Sequence, residues 1–186
     1  MGVDMSKLNQ NITNKVGWTN RKRYDNFNLT ILDKIPDERL EQAIIDYLLD
    51  YKIKTNPNDL DIIKTLSKGF QYVYTTWKLE EYIDNGGFNQ YLYATDGVFL
   101  EELIEGLGKI RAFKTKKVIN EVQKVFNEEI KLHSKAREAG STKAYFENYT
   151  SAKLNRLDDK FYETDENLSD LRTRYIRKNI NEFLTK

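Results

Sequence analysis

Apolar residues recur at three- and four-residue steps along nearly the whole chain, the spacing that gives an α-helix one buried face. In "KIPDERLEQAIIDYLLDYKI", Leu40, Ile44, Tyr47, Leu48 and Tyr51 make such a face. Pro36 suits a first-turn position, and Asp37 and Glu38 complement the positive helix end. Asn56, Pro57 and Asp59 repeat that start signal and predict a long helix through "LDIIKTLSKGFQYVYTTWKLEEYI". Its inward stripe takes in Ile63, Phe70, Val73, Tyr74 and Trp77, with Gly69 marking a close helix contact. Further helices follow at "FNQYLYAT", "VFLEELIEGLGKI" and "KTKKVINEVQKVFNEEIKLHSK". Gly140 and Ser141 read as a stop and an N-cap for "TKAYFENY", and Asn167 caps a terminal helix. Two prolines and almost no sustained alternation leave little room for a sheet. The expected fold is all-α: one irregular multi-helix bundle over residues 36–186, preceded by a polar, Asn-rich N-terminal arm over residues 1–35 in which only "FNLTIL" could extend as a strand.

"EEYIDNGGFNQYLYATDG", Glu80 to Gly97, interrupts this rhythm. A helix ending near Ile83 or Asp84 needs a residue of positive φ to turn away, which Gly86 supplies without a Cβ clash. Phe88, Tyr91, Leu92 and Tyr93 can then fold back on Trp77 and Tyr82, while the amides of Asn85, Asn89 and Gln90 satisfy main-chain groups stranded at the corner. A phosphate cradle fits poorly. A Walker A loop requires a Lys-Ser/Thr pair and the dinucleotide fingerprint three spaced glycines after a strand, and this turn has neither.

Composition narrows the chemistry. The chain has 186 residues, room for one domain with a substantial core, and its low mean hydropathy of -0.71 reflects charged outer faces around twelve Tyr, nine Phe and two Trp. The absence of Cys excludes disulfides, thiol nucleophiles and Cys-ligated metals. The one His, His133, lies toward the polar end of a helix, where a positive ring is favourable near the last carbonyls. No run approaches the ~20 apolar residues of a membrane span and no signal-like segment opens the sequence, so a cytoplasmic address without membrane contact is expected. Neither "NPNDLD" nor "TDENLSD" completes an EF-hand, and no motif calls for a cofactor.

The net charge of +1 hides segregation. Residues 36–110 carry 14 acidic and 7 basic side chains, net −7, whereas 111–140 carry 8 basic and 4 acidic and 171–186 carry 5 and 1, each net +4. Asp46, Asp50, Glu80, Glu81, Asp84, Glu101, Glu102 and Glu105 are therefore candidates for one acidic interaction face. "NRKRY", "FKTKK" and "RTRYIRK" interleave cations with aromatics, the pattern of a nucleic-acid surface.

"NGGFNQYLY" after a long aromatic-bearing helix, followed by "EELIEGLGKI", "VINEVQKVF" and the closing "DDKFYETDENLSDLRTRYIRKNINEFL", resembles a helical family of largely unknown function that includes a bacterial DNA-mimic protein. The resemblance covers about residues 60–185. It implies an all-helical bacterial domain without established enzymatic activity, with Asn85, Gly86, Gly87, Phe88, Gln90 and Tyr91 as signature positions. A DNA mimic presents carboxylates where a duplex presents phosphates, about one charge per 1.7 Å of axis, so a net charge of +1 departs from that pattern. The expected function is a non-enzymatic, cytoplasmic interaction module that binds a protein, in a regulatory or immunity-like role. Direct nucleic-acid binding through the basic segments stands second, disfavoured by a pI near 7.7, and an enzyme running on carboxylates and tyrosines third.

Overall fold

A computed structural model describes residues 22–53 and 59–185. Among these residues there is no strand, and nine α-helices follow one another. They are α1 (Leu29–Lys34), α2 (Asp37–Tyr47, continued by a π-helical turn Leu48–Ile53), α3 (Asp59–Thr65), α4 (Lys68–Thr95) and α5 (Leu100–Lys109). Then come α6 (Phe113–Arg137), α7 (Thr142–Asn148), α8 (Ala152–Tyr162), α9 (Leu168–Lys178) and a 3-10 turn, Ile180–Phe183. The caps follow side-chain chemistry. Ser141 accepts from the Ala144 N–H, Ser151 from Leu154 and Asn167 from Asp170, each satisfying a first-turn donor that the helix itself leaves unpaired.

The bundle is organised around α4, which packs against α2, α3, α5, α6, α8, α9 and the 3-10 turn. Its start shows how closely. A Cβ on Gly69 would lie 2.7 Å from Glu182 Cβ and 2.9 Å from Phe183 Cζ, so the glycine admits the terminal turn. The main core includes Leu40, Ile44, Val73, Tyr74, Leu79, Leu103, Ile119, Val122, Leu154 and Ile176, and a small second cluster of Ala136, Tyr145 and Tyr149 joins the end of α6 to α7.

Two expectations about chain organisation are corrected. The single long helix expected from Asp59 is two, α3 and α4, because Ser67 adopts an extended ψ of 156°. The break is filled by Gln71, whose side-chain amide donates to the carbonyls of Leu66 (2.7 Å) and Lys64 (3.3 Å). The Asn56 and Pro57 start signal lies outside the described residues. Within the expected arm, "FNLTIL" is helical rather than extended: Asn28 caps α1 by accepting from Ile31, and Phe27, Leu32 and Ile35 are buried in the main core. The folded body therefore takes in Phe27 to Ile35 and does not begin at residue 36. Residues 1–21 of that arm lie outside the described residues.

One contact closes the fold on itself. The Thr185 N–H donates to the Phe27 carbonyl (2.9 Å), and the Phe27 N–H donates to the Thr185 hydroxyl (2.7 Å). No helix among the described residues is long and apolar enough to cross a membrane.

Candidate functional site

The Asn-Gly-Gly stretch bends α4 without ending it. Helical hydrogen bonding resumes across non-helical dihedrals at Gly86 (φ 175°, ψ 19°) and Gly87 (φ 71°, ψ −168°). The left-handed residue is thus Gly87 rather than Gly86, which is extended. A bend of this kind frees main-chain donors, and α8 supplies the acceptor: the Phe88 N–H donates to Asp158 Oδ1 (2.7 Å). Burial, with Asp159 alongside, lifts the Asp158 carboxyl above the usual aspartate range despite that hydrogen bond.

Beside it, Asn89 is buried and exchanges two hydrogen bonds with Ser151, donating to its carbonyl (3.2 Å) and accepting from its N–H (2.9 Å), while also donating to Asn155 Oδ1 (2.7 Å). The corner is pinned by Asn89 and Asp158. Asn85, expected to do part of this, is exposed and donates to the Glu81 carbonyl within its own helix (2.6 Å). Gln90 is half-buried. Phe88 packs edge-on against Phe161 and Tyr91 against Tyr82, whereas Tyr93 turns to Tyr145 and Phe146 in the second cluster. Of the fold-back contacts expected for these rings, the Tyr82–Tyr91 pair is present.

His133 is not at a solvated helix end. Its ring is fully buried, Nδ1 sharing a hydrogen bond with the Tyr145 hydroxyl (2.7 Å) and Nε2 with Asp96 Oδ1 (2.8 Å), with Phe126 and Tyr149 edge-on to it.

The candidate acidic residues separate into distinct settings. Asp46 is only 2% exposed and shares Arg23 with Asp50, each at 2.9 Å, so it is an internal counter-ion and not part of an outer face. On α5, Glu102 pairs with Lys64 (3.4 Å), and Glu105 pairs with Lys68 (3.5 Å) and accepts from the Tyr72 hydroxyl (2.6 Å), while Glu101 is exposed. The Tyr72 hydroxyl, with Lys68 in support, holds the Glu105 carboxyl below its usual range. Glu81 pairs with Lys78 along its own helix (2.8 Å).

Glu80 and Asp84 differ from these. One turn apart on α4, they line a shallow cleft of about 290 Å³ opposite Asp165 and Glu166, which leave the end of α8. Arg172, 2% exposed, reaches Glu80 and Glu41 (2.6 Å) from beneath. Burial outweighs that pairing and raises the Glu80 carboxyl above its usual range. Glu166 is fixed from the other side, accepting from the N–H groups of Lys114 (3.1 Å) and Thr115 (2.8 Å) at the start of α6. Asp84 and Asp165 are exposed, and the Tyr162 ring, 59% exposed, sets its hydroxyl 3.4 Å from Asp84. Asp165 and Glu166 were absent from the expected face, although "DDKFYETDE" shows five carboxylates in nine residues. Among the described residues no group of three His, Asp or Glu is placed to hold a metal ion.

A cleft with two anchored carboxylates, Glu80 and Glu166, two exposed ones and an exposed tyrosine is suited to receiving cations from another molecule. No curated protein and no solved structure matches the chain. Corner, cleft and Arg172 all fall within residues 64–179, the stretch matched by the model of the DMP19-like proteins, and on that match, which spans more than half of its length, the chain belongs to the DMP19-like family, named for DNA mimic protein 19.

Proposed function

We propose that this protein is a non-enzymatic binding module that offers the cleft of Glu80, Asp84, Asp165 and Glu166 to the basic, DNA-contacting surface of a partner protein. The observation that carries the reading is the way these carboxylates are held. Arg172 anchors Glu80 from within and the α6 N-terminus anchors Glu166, so the negative charges are positioned before a partner arrives, as phosphates are on a duplex. Family membership supports the same reading. The mimicry is local, because a chain of net charge +1 does not repel nucleic acid as a whole.

The test uses the full chain as bait in its native host, followed by association kinetics with the recovered partner. Reversal of Asp84 with neutralisation of Asp165, Asp84→Lys with Asp165→Asn, which keeps a residue that tolerates the φ of 51° there, should slow association about tenfold at low salt and leave melting unchanged. Duplex DNA should displace the partner. An on-rate indifferent to both charges, or a partner retained in the presence of its DNA, would remove the cleft as the interface.

A further inference from the structure

Two of the three segments that interleave cations with aromatics meet in the fold. "FKTKK" opens α6 and "RTRYIRK" forms most of α9, and between them runs a groove of about 680 Å³. Its cations are Lys109, Arg111, Arg174 and Lys178, all exposed, and no carboxylate lines it. Among the described residues none of the four has a carboxylate within ion-pair distance; Arg174 donates only to the Asp170 carbonyl (3.3 Å). Of the nearby carboxylates, Glu105 is held by Lys68 and Tyr72 with Lys109 in electrostatic reach, Glu166 by the α6 N-terminus and Glu182 by the Tyr175 hydroxyl (3.0 Å), while Arg174 also borders a second cleft with Asp37, Glu38, Glu41 and Asp170. The third segment contrasts with this, since its Arg23 is held by Asp46 and Asp50.

Phe113 stands in the same groove with 54% of its surface exposed, although it is the first residue of a helix whose other apolar side chains largely turn inward. An apolar ring left in water beside four cations that no carboxylate pairs at ion-pair distance among the described residues has a specific use. Phosphates take the cations and a base takes the ring face, the combination by which proteins hold single strands without reading their sequence. A duplex would keep its bases stacked internally and leave Phe113 unused.

We propose that the groove formed by Lys109, Arg111 and Phe113 with Arg174 and Lys178 binds single-stranded nucleic acid, one base stacking on Phe113 and the flanking phosphates lying on the four cations. This surface is separate from the acidic cleft, so the protein carries one face that resembles nucleic acid and one that accepts it.

Fluorescence anisotropy of labelled ten-nucleotide dT and U oligomers with the full chain tests the proposal. Binding of either should weaken about 50-fold between 50 and 200 mM salt if all four cations release counterions from a single strand. Phe113→Ala should weaken it about tenfold, the loss of one stacked base. Arg174→Glu with Lys178→Glu should abolish it, while Lys131→Glu with Lys143→Glu, an equal charge change elsewhere, leaves affinity within about twofold. All these side chains are exposed, and unchanged melting curves should accompany every variant. The proposal is overturned if neither oligomer binds at 50 mM salt, if the groove variants bind as well as the wild type, or if a glutamate-rich peptide containing one Trp binds as tightly as dT, which would make the groove a seat for an acidic protein segment.

Discussion

A side chain at Gly87 meets two costs at once. Its φ of 71° lies in the region that L-residues avoid, and a Cβ there would sit 2.7 Å from the Asp158 carboxyl carbon. Gly87→Ala should therefore lose about 2 kcal/mol or more in urea unfolding, and Gly86→Ala, which has an extended φ and meets Gln90 Cβ at 2.9 Å in place of a carboxylate, less. Asp158 itself should show in the pH dependence. Because burial raises its folded pKa above the unfolded value, the folded state holds the proton more tightly; that stabilisation is fully present below the unfolded pKa and lost as pH rises through the folded one. Asp158→Asn keeps an acceptor for Phe88 but cannot titrate. Wild-type stability relative to this variant should fall as pH climbs out of the acid range and then level off; the opposite slope would mean that the Phe88 hydrogen bond, and not burial, governs the carboxyl.

Between elements, the decisive contacts join α4 to α8 and α6 to α7. Asn89→Ala removes the exchange with Ser151 and strands a buried main-chain donor, a loss of about 1–3 kcal/mol, whereas Asn85→Ala touches only an exposed local bond and should stay within about 0.5 kcal/mol. His133→Ala opens a cavity among Phe126, Tyr145 and Tyr149 and unpairs the Tyr145 hydroxyl, so about 3 kcal/mol should be lost in thermal melts. These contacts also mark what the chain made legible. Helical periodicity identified the long helices, and the Ser141 and Asn167 caps were readable because donor and acceptor lie three residues apart. The bend at Gly87 was not readable in the same way, since the acceptor for the Phe88 N–H is Asp158, seventy positions downstream of Phe88. Gln71 filling the break at Ser67 left no Pro or Gly as a marker. In the cleft, Glu80 and Asp84 were visible as a pair one turn apart, but the carboxylates that share the cleft with them come from the end of α8, and sequence order does not reveal that the two elements meet there.

At the scale of the whole molecule, charge regions that add up to near neutrality are kept apart, the carboxylates in one cleft, where Arg172 holds Glu80 from within, and the cations in a groove that no carboxylate lines. The helical body should dominate the far-UV circular dichroism spectrum. A chain started at residue 36 loses Phe27, Leu32 and Ile35 from the core, at about 1.5–3 kcal/mol for each buried side chain, and should unfold near room temperature or fail to fold, while one started at residue 22 keeps all three and should retain a cooperative melt. The pairing of Phe27 with Thr185 reaches further. It places the two ends of the described fold side by side, so that the path of the chain is nearly a closed loop and the position of its opening is arbitrary. A short linker from residue 185 back to residue 27, with new termini cut at the exposed Gly140 turn, should give a circular permutant with the same core, in which α7 to α9 precede α1 in the order of synthesis.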